Sequence, residues 1–384
     1  MIGFLGNYLF ERTGLPDMLF LIILGILFGP VLRVFDPSAV TDLAPYIAAL
    51  ALVFILFDGG MRMELRQVLS HSPRAVLLAA LGFLFSVFVV ALFMVFFFGM
   101  SLPYGFLFGS IYGGSSSIVV VSLAAKIKVS QKCSTTLILE SATTDILCIV
   151  ISLAIIGVIM TGQADYKVVS LEIARKFIVG AILGIVFGLS WLILLKRVIS
   201  VSFSYMLTLA ILLLAYALSE YLGGSGALSS LLFGLTLGNE REILRIAKRE
   251  IASETVVDEG LKRFESEIAF LIRTFFFVFL GLIATISNIG FLFLGIILSL
   301  LLLLVRFGAV WVATVRSELK SERPIMAVVL TRGLAAAVLA TLPIQYGLLY
   351  SDVFINLAVV IIVSTAIIAT VGVFLVSRKT DKHQ

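Results

Sequence analysis

Two carboxylates, Glu140 and Asp145, lie with a run of hydroxyls in the stretch Thr135–Val150, which is otherwise apolar enough to cross a bilayer. A charge at the bilayer centre costs about 2.5–3.5 kcal/mol on insertion scales. A lipid-facing helix would not keep either residue, so both must face protein, water or an ion. Asp145, near the middle of its helix, reads as a group that binds a cation or a proton in a water-accessible cavity. Ser141 lies one turn back on the same face and Thr144 is adjacent. Their oxygens suit a hard monovalent ion. The plainer alternative is a buried aspartate capped by hydroxyls. Glu140 stands about 140° round the helix from Asp145, so the two do not easily share one ligand shell. Glu140 needs a cationic partner, because an unpaired buried charge costs about 3–5 kcal/mol. Arg306 and Arg332, both inside apolar runs, are the candidates.

The chain that must position these groups has 384 residues, 61% of them hydrophobic and only 13% charged, with a mean hydropathy of +1.17. A soluble domain carries about 25% charge, so this is an integral membrane protein. The apolar runs are too long, and alternate too little, for an outer-membrane barrel. The fold expected is all-α and polytopic, with about 13 helices at roughly 20 apolar residues per span. The first, helix 0 at Met1–Arg12, makes at most half a span. No charged leader or Ala-x-Ala site accompanies it, so it does not read as a signal peptide. The others fall at about Pro16–Val34, Asp42–Gly60, Pro73–Gly99, Pro103–Ile127, Gln131–Ile159, Leu171–Lys196, Phe203–Tyr221, Gly226–Asn239, Ile268–Ser287, Ile289–Val315, Pro324–Tyr346 and Asp352–Ser377, numbered 1 to 12. A charged segment, Glu240–Glu267, separates helices 8 and 9.

The basic residues test this count. One side of the membrane receives only Arg33, Lys167, Arg175 and Lys176, and Arg273, Arg306 and Arg332 fall within spans. The remaining basic residues share the other side. By the positive-inside rule the N-terminus is outside and the C-terminus cytoplasmic. The pI near 9.2 therefore reflects topology and not nucleic-acid binding. Cys133 and Cys148 read as packing thiols. His71 and His383 lie in a loop and at the terminus, so no histidine metal site and no Ser-His or Cys-His nucleophile is visible.

Helix 4 is interrupted by Gly113-Gly114-Ser115-Ser116-Ser117 and helix 11 by Thr331-Arg332-Gly333. Leu24–Gly29 in helix 1 echoes Leu232–Gly238 in helix 8. Both correspondences are seven helices apart, and an odd offset inverts the second copy in the membrane. Inverted repeats with broken helices at matching positions characterise secondary transporters, where the breaks mark the binding site. Unwound backbone at membrane depth is tolerated only around a cavity or within protein. Arg332 could offset the negative ends of the broken pair. Phe275–Gly281 reads as packing, Asp58 as a helix end or an entry, and Arg273 as snorkelling or paired with Glu265 or Glu267.

Several of these segments resemble monovalent cation/proton antiporters. Thr13-Gly14-Leu15-Pro16-Asp17 leading into Gly25–Pro30 is similar to the opening of that superfamily. So are Leu56-Phe57-Asp58-Gly59-Gly60 and Phe277–Leu282. Leu139-Glu140-Ser141-Ala142-Thr143-Thr144-Asp145 resembles the Glu-Ser-x-x-Asn-Asp motif of the electroneutral sodium/proton exchanger branch. In that branch the Asp binds ion and proton, and the Glu pairs with an arginine two helices before the end, which here matches Arg306. Arg332-Gly333 matches the branch's Arg-Gly motif. Two departures bear on the ion: Thr144 replaces the Asn, and Gly114–Ser117 replaces Thr-Asp-Pro and is closer to the Ser-Ser-Thr of potassium-efflux antiporters. No nucleotide-binding domain follows helix 12 in this sequence, which speaks against a tethered, gated potassium-efflux system.

The resemblance implies an antiporter, not an enzyme, that exchanges Na⁺ or K⁺ for H⁺ by competition at Asp145 in the cytoplasmic membrane. The expected ion and proton set is Asp145, Thr144, Ser141, Ser115 and Ser116. Glu140–Arg306 is the expected structural pair, and Gly113, Gly114, Arg332 and Gly333 support two crossed discontinuous helices, 4 and 11. One transporter domain is expected, with a core bundle at about 73–159 and 289–377 rocking against a scaffold at about 1–60 and 171–287. The scaffold would make a homodimer in the lipid bilayer; no cofactor is expected. A sodium-coupled symporter of an organic anion is the alternative on the same fold, and a channel is a more distant one.

Overall fold

The computed structural model describes residues 16–34, 37–62, 73–116, 120, 129–161, 166–198, 204–246, 257, 259–284 and 289–381. Helix 0, Ser117, His71 and His383 lie outside the described residues. All regular structure among the described residues is helical. Helices α1 (Asp17–Ile26), α2 (Pro37–Arg62), α3 (Pro73–Phe98), α4 (Leu102–Ile111) and α5 (Gln131–Thr161) are followed by α6 (Tyr166–Val198), α7 (Ser204–Tyr221) and α8 (Gly226–Gly238). After these come a short α9 (Glu240–Ile246), α10 (Glu259–Ile283), α11 (Ile289–Ala313), α12 (Arg323–Val328), α13 (Leu334–Leu339), α14 (Leu342–Gln345) and α15 (Ser351–Asp381). Among the described residues six helices, including α3, α5, α11 and α15, are long and apolar enough to cross a membrane. Large apolar side chains such as Phe96, Leu304 and Trp311 point outward, as lipid-facing surfaces require.

Local sequence sets the ends. Pro73 and Pro103 enter in the first turns of α3 and α4, where the missing N–H costs nothing. Ser225 caps α8 by accepting from the Leu228 N–H at 3.3 Å. Two boundaries differ from expectation. The described parts of the charged segment after α8 include helix at 240–246, and α10 begins at Glu259, because its first turns keep an inward apolar face through Leu261 and an inward Glu265. Predicted helix 11 also has a second interruption: residues 340–341 turn ahead of Pro343, whose ring cannot continue the preceding helix.

The described chain divides into two compact units, one within residues 1–48, 72–160 and 274–384, the other within 49–71 and 161–273. In the second, Phe57 and Phe233 meet at 5.6 Å within a core that includes Trp191, Leu212 and Leu237. The Trp191 Nε1–H donates to Thr208 Oγ1 at 2.9 Å. In the first, Phe108, Tyr112 and Phe354 pack together, and the Tyr112 hydroxyl donates to the Phe354 carbonyl at 2.7 Å. The buried stripe of α11, Leu298, Leu302, Arg306, Ala309 and Ala313, has helical spacing, so the arginine points inward with it.

The internal echo has a structural counterpart. Gly25 of α1 leaves no room for a Cβ against the Val278 carbonyl, in the C-terminal half of α10. Gly234 and Gly238 of α8 do the same against Phe57 and Met61, in the C-terminal half of α2. The pairs 1 with 9 and 8 with 2, in the predicted numbering, exchange under a shift of seven. Small residues permit this approach where no hydrophobic drive separates helix from lipid.

Candidate functional site

The two helix breaks meet. Helix α4 stops at Ile111 and residues 112–116 are unwound; α12 stops at Val328 and residues 329–333 are unwound. The Ser116 N–H donates to the Thr331 carbonyl at 2.7 Å, and the Ser116 carbonyl accepts from the Val120 N–H at 2.9 Å. Arg332 Nη1 donates to the Gly114 carbonyl, and its backbone N–H donates to Thr365 Oγ1 at 3.1 Å. A guanidinium thus lies just past the C-terminus of α4, where partial negative charge collects. Thr365, midway along apolar α15, holds this arrangement but carries no motif in the sequence. Its one signal was a hydroxyl in an apolar span.

Glycine is required here by space. A Cβ on Gly114 would lie 2.6 Å from Cys148 Sγ and 3.0 Å from the Thr144 carbonyl, and one on Gly113 would lie 2.8 Å from the Phe83 ring. A Cβ on Gly333 would collide with the Ser116 side chain. Cys148, expected only as a packing thiol, is therefore the wall against which the unwound segment rests.

Helix α5 faces this crossing with its polar stretch. Glu140 is 1% exposed and Arg306 5%. Arg306 Nη1 and Nη2 donate to Glu140 Oε1 and Oε2 at 2.6 and 3.0 Å, a two-pronged contact. Arg306 Nε donates to the Met326 carbonyl at 3.1 Å, which ties α11 to the last turn of α12. Arg332, the rival partner, instead serves the Gly114 carbonyl. The Ser115 hydroxyl donates to Glu140 Oε1 at 3.2 Å, while its N–H donates to Thr144 Oγ1 at 3.2 Å. One unwound residue therefore touches both the ion pair and the neighbour of Asp145.

Thr144 and Ser141 are buried, and their hydroxyls donate to the carbonyls of Ser141 at 3.0 Å and Ile138 at 2.9 Å. Their oxygens still have lone pairs to accept with. Asp145 is partly buried on the same helix. The structure thus brings Glu140, Arg306, Ser115 and Thr144 into one bonded network. Ser116, Gly333, Gly114 and Arg332 belong to the crossing beside it.

Comparison with known proteins adds an independent line. The profile of the family described as sodium/hydrogen exchanger, transmembrane, matches residues 1–379. The K(+)/H(+) antiporter NhaP2 of Shewanella sp. strain ANA-3 is 28% identical over 368 residues, 93% of this chain and 61% of its own length. Na(+)/H(+) antiporter 1 of Methanocaldococcus jannaschii is 24% identical over 317 residues, 78% of this chain and 70% of that protein. The chain spans about three fifths of the length of the Shewanella relatives. A solved structure of the sodium proton antiporter MjNhaP1 from M. jannaschii at pH 8 has a TM-score of 0.75, covering 98% of this chain and 94% of that one at 21% identity, and shows the shared fold.

Proposed function

Since this chain belongs to the sodium/hydrogen exchanger family of multi-pass membrane antiporters, we propose that it exchanges a monovalent cation, Na⁺ or K⁺, for H⁺, with Asp145 holding one or the other in turn. The observation that carries this reading is the docking of the Ser141–Asp145 face on the unwound crossing, through the Ser115 N–H and Thr144 Oγ1. Asp145 supplies the single negative charge. Thr144 and Ser141 supply hydroxyl oxygens beside it, and Ser115 and Ser116 supply the polar edge of the break. Cation and proton neutralise the same carboxylate, so occupancy by one excludes the other. With one titrating group the exchange is one for one and electroneutral.

Glu140 and Arg306 do not enter this exchange; together they cancel charge and fix α5 to α11. Arg332 and Gly333 keep the crossing closed on itself. The loop charges favour a cytoplasmic C-terminus. A scaffold bundle at about 1–60 and 171–287 would form the homodimer and leave the crossing free for alternating access.

The test uses purified protein in proteoliposomes with an internal pH-sensitive dye, titrated with Na⁺, Li⁺ and K⁺ across pH. Asp145→Asn is expected to abolish cation-dependent proton flux while retaining fold and thermal stability. Undiminished flux in that variant would refute the role of Asp145.

A further inference from the structure

One carboxylate outside the crossing has no evident way to keep a charge. Glu265, near the start of α10, is 2% exposed, and neither carboxylate oxygen has a hydrogen-bond partner. Two arginines of this region are engaged elsewhere. Arg62 Nε grips Asp58 at 2.9 and 3.0 Å, and its Nη2 donates to Ser266 Oγ at 2.8 Å. Arg263 donates to Glu267 at 3.1 Å. The Arg273 guanidinium stands 5.4 Å from the Phe270 ring. Of its candidate roles, hydrogen-bonded pairing with Glu265 is not made, since the Glu265 oxygens accept from nothing.

Asp58 and Ser266 line a cavity of about 810 Å³, and the negative charge of Asp58 acts on Glu265. The other charged groups of this region are Lys262 on α10 and Glu240, Arg241 and Glu242 on α9, all on the cavity wall. Glu240 is occupied by the Val257 N–H at 2.9 Å. Tyr205 of α7 reaches the same end of α10 through its ring, 5.8 Å from Phe264.

We propose that Glu265 is a second proton-binding site, separate from the crossing, and that its carboxyl carries a proton in this structure. Burial without donors penalises the ionised form, and a neighbouring carboxylate adds like-charge repulsion. A neutral carboxyl escapes both penalties. The proton also protects a joint. While Glu265 is neutral, Arg62 is free to bridge Asp58 on α2 to Ser266 on α10. An ionised Glu265 would compete for that guanidinium, and the Arg62–Ser266 link would loosen at the mouth of the cavity. The ligand of the site is a proton delivered from the aqueous cavity past Asp58. This holds whether or not Asp145 is the transport carboxylate.

The full chain in lipid vesicles tests this by infrared difference spectroscopy at neutral pH, following the C=O stretch of protonated carboxyl groups. Wild type minus Glu265→Gln is expected to contain one such band, shifted by H/D exchange and still present in the Asp145→Asn background. Glutamine is the neutral isostere of the protonated acid, so the variant is expected to fold with an unchanged Tm. Absence of the band overturns the proposal, and so does a Glu265→Gln protein that fails to fold. Loss of the band in Asp145→Asn alone would assign it to the crossing and also overturn it.

Discussion

Removing either partner of the Glu140–Arg306 pair leaves a charge that the surrounding protein cannot solvate. In Glu140→Gln the Arg306 guanidinium keeps the Met326 carbonyl at 3.1 Å but loses both carboxylate contacts. In Arg306→Gln the Glu140 carboxylate keeps only the Ser115 hydroxyl at 3.2 Å, and the Met326 carbonyl loses its donor. Each single change should cost about 3–5 kcal/mol, the range for breaking a buried pair from one side. At about 2 °C per kcal/mol for a long chain, Tm falls by roughly 6–10 °C. The double variant has no stranded charge. The amide introduced by Glu140→Gln still accepts from Ser115, so the remaining loss is chiefly the donor to Met326, about 1–3 kcal/mol. The cycle should therefore give a coupling energy of at least about 2 kcal/mol, well above the ~0.5 kcal/mol scatter of independent sites. Thermal unfolding of the four proteins in one detergent, followed by tryptophan fluorescence, measures it. Losses that simply add would show that the two residues do not act as a pair.

Two further outcomes follow from the crossing. Thr144→Val keeps the shape but strands the Ser115 N–H, a cost of about 1–3 kcal/mol for a buried donor; the half-saturating cation concentration in the vesicle assay should rise, and an unchanged value would show that Thr144 is not beside the ion. Gly114→Ala puts a methyl 2.6 Å from Cys148 Sγ, an overpacking worth about 1–3 kcal/mol. Flux should drop and recover in part with Cys148→Ala, and no recovery would mean that the Thr144 carbonyl, 3.0 Å away, sets the limit alone.

Much of this site was legible because membranes make polar residues expensive. Glu140, Asp145, Arg306 and Arg332 stood out as charges in apolar runs, and Gly113–Gly114 and Gly333 as helix breakers at matching positions. The charge split between loops served as a check on the expected number of helices. Thr365 and Cys148 were not legible, because a single hydroxyl or thiol in an apolar helix is common and costs little. Glu265 was visible only as one of several charges before helix 9; its sequence neighbours gave no sign that it is buried and Arg263 and Glu267 are not.

Residue type and spacing alone determined that the chain crosses a membrane many times, that helices 4 and 11 are interrupted, and that two carboxylates on α5 point to different sides. These are local consequences of helix period and of the cost of charge in hydrocarbon. Which arginine meets Glu140 was a choice between two residues far along the chain, and only packing could make it. The inward stripe of α11 carries Arg306 to the carboxylate, while the crossing of two unwound segments turns Arg332 to the Gly114 carbonyl. The Arg62 guanidinium is likewise taken up by Ser266 on a separate helix. Partnership between buried charges depends on distances that the chain acquires only when it is folded.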